Sequence, residues 1–316
     1  MTFLSSILFF TNLFTQPTQA AQSFQPVFTD DESFSESFTA VADLRDGTYI
    51  LLQLLFSNAG FGDYKGACRV LVVPKGSKGH NASVHVGSKE WEANAKSVSV
   101  DSCALRTEGA TTSFVAKAEN ISASLTINAK MTDVPFPERS IKKADFNGFY
   151  DQDIWYTSAP VSASYTTPEG TKKTSTGFAY LDHGRSNMLL PNVAQQWVRF
   201  RGFYGEQPVL LQIRVPPKKE PARGWYLLDD NIIKLSSSDV VISKGGLQIQ
   251  GTHKAQITTQ STRYVYKPIE AYGAAGSIAK AFIGNPVTTT YAATLKGTLD
   301  GQEVEVKGIL EESYVE

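Results

Sequence analysis

Residues 46–58 read "DGTYILLQLLFSN". The stretch opens on a turn pair, Asp46-Gly47, then runs almost wholly apolar from Tyr49 to Phe56. Successive side chains of a strand point to opposite faces. One face here carries Tyr49, Leu51 and Leu55, the other Ile50, Leu52, Leu54 and Phe56. An antiparallel strand usually leaves one face in water. This one is expected to be covered on both faces, as a strand at a domain interface is.

Strand signals continue outward. "GACRVLVVP" (66–74) is stopped by Pro74, and "NASVHVG" (81–87) and "TSFVAKA" (112–118) follow. In "SASLTINAK" (122–130), Ala123, Leu125, Ile127 and Ala129 alternate with polar residues, the mark of a half-buried strand. Residues 131–157 break the alternation with two prolines, scattered charges and aromatics. They read as a packed connector in which Phe146, Phe149, Tyr150, Trp155 and Tyr156 need burial.

A second strand series follows: "APVSASYTT", "STGFAYLDH", "QWVRFRGFY" and "PVLLQIRVPP", the last placing Val209, Leu211, Ile213 and Val215 on one face. "GWYLLDDNIIKL" reads as a hairpin about Asp230-Asn231. The closing hairpin turns at Asp300-Gly301, with Val304, Val306 and Leu310 on one face and Glu303, Glu305 and Lys307 on the other. Residues 271–282, "AYGAAGSIAKAF", are the one candidate helix. Many short strands with turn punctuation and almost no helix indicate an all-β sandwich or barrel, and the pattern occurs twice. We divide the chain at residues 145/146.

The 316 residues carry 30 Lys+Arg against 31 Asp+Glu. A net charge of −1 argues against nucleic acid as a partner. Residues 1–20 combine an apolar run, Phe3 to Phe14, with small residues before a cleavage point after Ala20. That is the pattern of a signal peptide, and we expect an exported protein, periplasmic or secreted. The apolar run is too short for a transmembrane helix, which leaves at most transient membrane contact. Cys68 and Cys103 are the two cysteines. They either form one disulfide, as export permits, or stay as two buried thiols.

The segments "ADLRDGTYILLQLLFSN" and "GACRVLVVP" resemble the first barrel of the Svf1-like proteins, fungal survival-factor relatives. Gly177 to His183, "GFAYLDH", followed by Trp197-Val198-Arg199-Phe200, is similar to the second-half core of the same group. That wider group includes the hydroxyneurosporene-synthase (carotenoid 1,2-hydratase) proteins. Lys307-Gly308-Ile309-Leu310-Glu311 resembles the family's "x-G-x-x-E" ending. The likeness covers most of the chain after residue 30. It implies two tandem lipocalin-like antiparallel barrels and a small hydrophobic ligand, a lipid or an isoprenoid. Family members divide between lipid binding and enzymes acting on polyenes or polyketides, so fold alone does not fix activity. The hydratases often carry "E-H-x-W-G". Here Gly184-Arg185-Ser186 follows the histidine, which favours the binding branch.

The candidate site centres on Asp182 and His183. On a regular strand they point to opposite faces, with Tyr180 beside Asp182. An acid in an apolar cavity has a raised pKa and could protonate an alkene; the histidine could orient it or anchor a ligand. The competing reading is a polar corner tying a strand end to a loop. Trp197, Arg199 and Arg201 share a face. Arg199 could meet an acidic head group, while Arg201 reads as solvated. Ser186 lacks a nucleophile elbow. Asp151 and Asp153 are too few for calcium. The four histidines form no metal motif, and no phosphate loop or cofactor signature is present.

Sequence alone therefore favours a carrier with Tyr180, Asp182, His183, Trp197 and Arg199 as ligand contacts. The enzyme alternative is a cofactor-free hydratase, cyclase or isomerase, with Asp182 as general acid and His183 beside it. A structural envelope protein is a third reading.

Overall fold

The computed structural model describes residues 22–58, 63–143, 147–218, 220–228, 231–243, 245–267 and 285–315. The expected signal peptide and the expected helix at 271–282 lie outside the described residues, as does Phe146.

The first sheet is built from β1 (Ser35–Leu44), β2 (Tyr49–Ser57), β3 (Lys65–Val73), β4 (His80–Val86), β5 (Trp91–Asn94), β6 (Ser97–Val100), β7 (Cys103–Glu108), β8 (Thr111–Ala118), β9 (Ile121–Asn128), β10 (Ser140–Lys143), β11 (Gly148–Thr166) and β12 (Lys172–Ser186). The second holds β13 (Gln196–Tyr204), β14 (Gln207–Val215), β15 (Arg223–Leu228), β16 (Asn231–Leu235), β17 (Val240–Ser243), β18 (Gly246–Ile249), β19 (Lys254–Tyr266), β20 (Pro286–Leu299) and β21 (Gln302–Val315). Each is an antiparallel meander that curls until its first strand pairs with its last, β1 with β12 and β13 with β21. Both seams fall between the fourth and fifth strands, β4/β5 and β16/β17, so the two barrels are nearly closed and share one topology. First-to-last pairing removes most of the exposed strand edge.

The sheets divide the chain between Ser186 and Gln196, not at 145/146. The stretch read as a connector becomes β11 from Gly148 onward, and its aromatics Trp155 and Tyr156 are buried in the first barrel. Two register shifts, between Ile154, Tyr156 and Ala159, break the period of two that would have shown the strand. Such bulges add a residue and turn the strand. A short helix, Leu190–Val193, bridges the barrels.

Side chains fill both interiors. Ile50, Leu52, Leu54 and Phe56 of β2 point into the first, which is crossed by a Cys68–Cys103 disulfide with a Cα–Cα distance of 6.3 Å. Val209, Leu211 and Ile213 face the second, with Val304, Val306 and Leu310 of the closing hairpin. The other face of β2 meets the second barrel: Tyr49 joins Val41, Ile154, Leu210, Trp225, Leu227 and Ile309 in a separate buried cluster, with Leu51 packed against it. The doubly apolar strand is thus an interface strand. Each large buried apolar side chain contributes roughly 1.5–3 kcal/mol, so apolar burial welds the barrels and the polar groups within it fix their register.

Candidate functional site between the barrels

β12 of the first barrel faces β13 of the second across the weld. Alternation along β12 sends Ala179 and Leu181 inward and Tyr180 outward. Asp182 points outward with Tyr180. Its Oδ2 accepts hydrogen bonds from the Tyr180 hydroxyl (2.8 Å), Gln152 Nε2 (2.8 Å) and Arg199 Nη1 (3.2 Å). Gln152 Oε1 in turn accepts from Gln212 Nε2 of the second barrel at 2.8 Å. The chain of bonds runs Gln212, Gln152, Asp182, Arg199 and crosses the interface twice.

Arg199 and Arg201 lie two apart on β13 and share Glu311 of β21. Glu311 Oε2 accepts from Arg199 Nε at 2.9 Å and Arg201 Nη1 at 2.7 Å, while Oε1 accepts from the Tyr49 hydroxyl. Arg201 is only 5% exposed, which corrects its reading as a solvated residue. The reason is tertiary: the face of β13 that would meet water meets the other barrel. Burial opposes ionisation of Glu311, but the two guanidiniums outweigh it and hold its carboxyl well below the usual range. Burial and the adjacent carboxylate raise the pKa values of both Tyr49 and Tyr180. Arg199 and Arg201 also lie against the Tyr180 ring, 4.7 and 5.6 Å from its centroid, a cation–π contact that burial strengthens.

Beside this network is a slot lined by Asp43, Ser158, Phe178, Tyr180, Arg201 and Phe203, with free space of about 10 Å³, about one water molecule. Four enclosed polar atoms around it lack a hydrogen-bond partner: Asp43 Oδ1, Ser158 Oγ, and Arg201 Nε and Nη2. Buried polar atoms are nearly always paired, so such a group calls for an explanation. Arg201 Nε lies 3.7 Å from Asp43 Oδ2, an ion pair without hydrogen-bond geometry. The low-polarity surroundings push the Asp43 carboxyl up, and Arg201 pulls it back only in part. Phe178 and Phe203 close the slot, with ring centroids 4.0 Å apart.

Of the five residues expected to contact ligand, the structure brings Tyr180, Asp182 and Arg199 together here. His183 is elsewhere: it faces the opposite side of β12 and stacks on Phe38 at 4.6 Å. Trp197 packs on Tyr150 at 5.4 Å, beside Ile141, Met188 and Val193. Ser186 serves the chain turn, donating to Phe149 O and accepting from Met188 N. Sequence reading missed Asp43, Tyr49, Gln152, Ser158 and Gln212 as site residues. Asp43 left one signal, a single acid in the apolar run Ala40 to Leu44. Among the described residues no group of His, Cys, Asp and Glu is arranged to hold a metal ion.

No family model matches the chain, and no curated protein matches it in sequence. Solved structures do match in fold. A Nitrosomonas europaea protein assigned as AttH aligns with a TM-score of 0.64 at 13% identity, over 90% of this chain and 93% of its own. Kievitone hydratase from Nectria haematococca aligns at 0.57 and 12% identity, over 94% of each chain. CghA, solved with Sch210972, aligns at 0.58 and 13%, over 90% of this chain and 89% of its own. At such identity the likeness concerns the fold, and it gives this chain the tandem lipocalin-like architecture.

Proposed function

We propose that the protein is a cofactor-free enzyme that moves a proton on a hydrophobic, unsaturated substrate, as a hydratase, cyclase or isomerase does. The observation that carries this reading is the slot between the barrels, where unpartnered atoms of Asp43, Ser158 and Arg201 converge within aromatic walls. A carboxyl with a raised pKa in an apolar setting is suited to act as a general acid. Asp43 gives its proton to a substrate carbon. The resulting electron-poor centre is then captured by water, closed by an internal double bond, or relieved by loss of another proton. In each case a proton returns to Asp43. Arg201 and Ser158 supply donors for a substrate oxygen.

Asp182 is the weaker acid candidate. Its Oδ2 already accepts three hydrogen bonds, so we assign it as a positioning residue for Tyr180 and Arg199. The slot as it stands holds about one water, so substrate enters by parting Phe178 and Phe203. The fold shared with kievitone hydratase supports the enzyme reading over the carrier one, as do barrel interiors filled with side chains. The motif series that resembles Svf1-like and carotenoid-hydratase proteins is consistent with it. A disulfide belongs to an oxidising compartment, which supports placing the protein outside the cytosol.

The test is proton transfer. The protein is incubated in D2O with a panel of polyenes and enones, and products are read by mass spectrometry. Deuterium at carbon, lost in Asp43→Asn and reduced in Asp182→Asn, is the expected result. A panel that takes up none, with a lipid retained stoichiometrically by the protein from its own host, would sink the enzyme reading in favour of a carrier.

A further inference from the structure

His183 sits at the centre of a second charged cluster, at one end of the first barrel and away from the slot. Its ring is stacked on Phe38 and lies 5.3 Å from Trp155. Nε2 meets Glu36 Oε1 of β1 at 2.8 Å, and Nδ1 lies 3.7 Å from Asp153 Oδ2 of β11. Arg139 holds Asp153 and Asp133 on the far side. Glu36 is 1% exposed. Its second oxygen, Oε2, accepts the backbone N–H of Val27 at 2.9 Å.

Val27 belongs to residues 22–34, which precede β1 and join no strand ladder. Two aromatic rings seat this segment on the barrel. Phe24 packs on Phe38 and Trp155 at 5.7 and 5.4 Å. Phe28 packs among Phe34, Phe56, Tyr64 and Trp91. Asn58 Nδ2 donates to the carbonyls of Thr29 and Asp31. A segment held by two side-chain plugs and few backbone bonds opens more easily than a paired strand.

We propose that residues 22–34 are a strap closing the first barrel, latched through Glu36 by protonated His183 and loosened as the pH rises. The inference is independent of the enzyme reading. Burial by itself would lower the His183 pKa, but the carboxylates of Asp153 and Glu36 outweigh it and hold it above the usual value. A raised histidine contributes its full stabilisation below its unfolded pKa and loses it as the pH passes through the folded one. Deprotonation leaves the Glu36 carboxylate buried without its cation, a costly state. The carboxylate is relieved by hydration, and hydration requires Val27 and the strap around it to lift off Glu36. The aromatic surface of Phe38, Trp155, Phe56 and Trp91 is then open to a planar apolar ligand.

The experiment is hydrogen exchange by mass spectrometry on peptides covering residues 22–34 of the full chain, at pH 6 and pH 9, corrected for intrinsic rates. Protection is expected to fall about tenfold or more at pH 9, the scale of one charge-assisted hydrogen bond. In His183→Gln it is low at both pH values. Val27→Pro removes the latched N–H at an exposed residue, and its protection at pH 6 is expected to match the wild type at pH 9. Equal protection of the wild-type strap at both pH values, or an unaltered pH dependence in His183→Gln, would overturn the proposal.

Discussion

Glu311→Gln is the sharpest probe of how the barrels are held together. Glu311 is 5% exposed and is the shared acceptor for Arg199, Arg201 and the Tyr49 hydroxyl. Glutamine keeps the shape and one acceptor but removes the charge. Two guanidiniums then stay buried against Asp182 and Asp43 alone, and Asp43 has a raised pKa. Breaking a buried pair by removing one partner costs about 3–5 kcal/mol. With a urea slope of about 3 kcal/mol per molar, the unfolding midpoint drops by about 1–2 M. The assay is urea denaturation followed by tryptophan fluorescence, since Trp225 reports the interface cluster. Pairing the change with Arg201→Met separates the charge effect from shape: removing a surplus cation should restore part of the loss. The pH direction follows from the depressed Glu311 carboxyl. Its contribution is present above the unfolded carboxylate pKa and declines as the pH falls toward the folded one. A shift under about 1 kcal/mol, the level of an exposed pair, with no dependence between pH 5 and pH 3, would refute the account of a charge-locked interface.

Other consequences are simpler to read. Replacing both Cys68 and Cys103 with alanine opens a link across 35 residues and should cost about 4 kcal/mol in the chain-entropy model, measured by thermal unfolding with and without reductant. Gly308→Ala places a Cβ 2.0 Å from the Arg201 carbonyl oxygen; the backbone there must move, so a loss of about 1–3 kcal/mol or more is expected in denaturant titration, together with lower deuterium transfer because Arg201 shifts. Phe203→Ala removes one half of the ring pair over the slot and should raise the rate of dye or substrate capture in stopped-flow binding, whereas an unchanged rate would mean that entry lies elsewhere.

Much of this molecule was written locally. The period-two runs announced β9, β14 and the β20–β21 hairpin, and the doubly apolar run at Tyr49–Phe56 announced an interface strand, because burial on a given face is a property of alternation that a sequence displays directly. The opposed directions of Asp182 and His183 followed from the same geometry. Tertiary structure decided the rest. The first half of β11 was hidden because bulges interrupt its alternation, and the sheet boundary moved with it. Arg201 read as solvated because a strand face looks the same in sequence whether water or a second barrel covers it. Asp43, Ser158 and Arg201 come from β1, β11 and β13 and are far apart in sequence. No spacing rule links them, and they meet only because the two barrels pack against one another there.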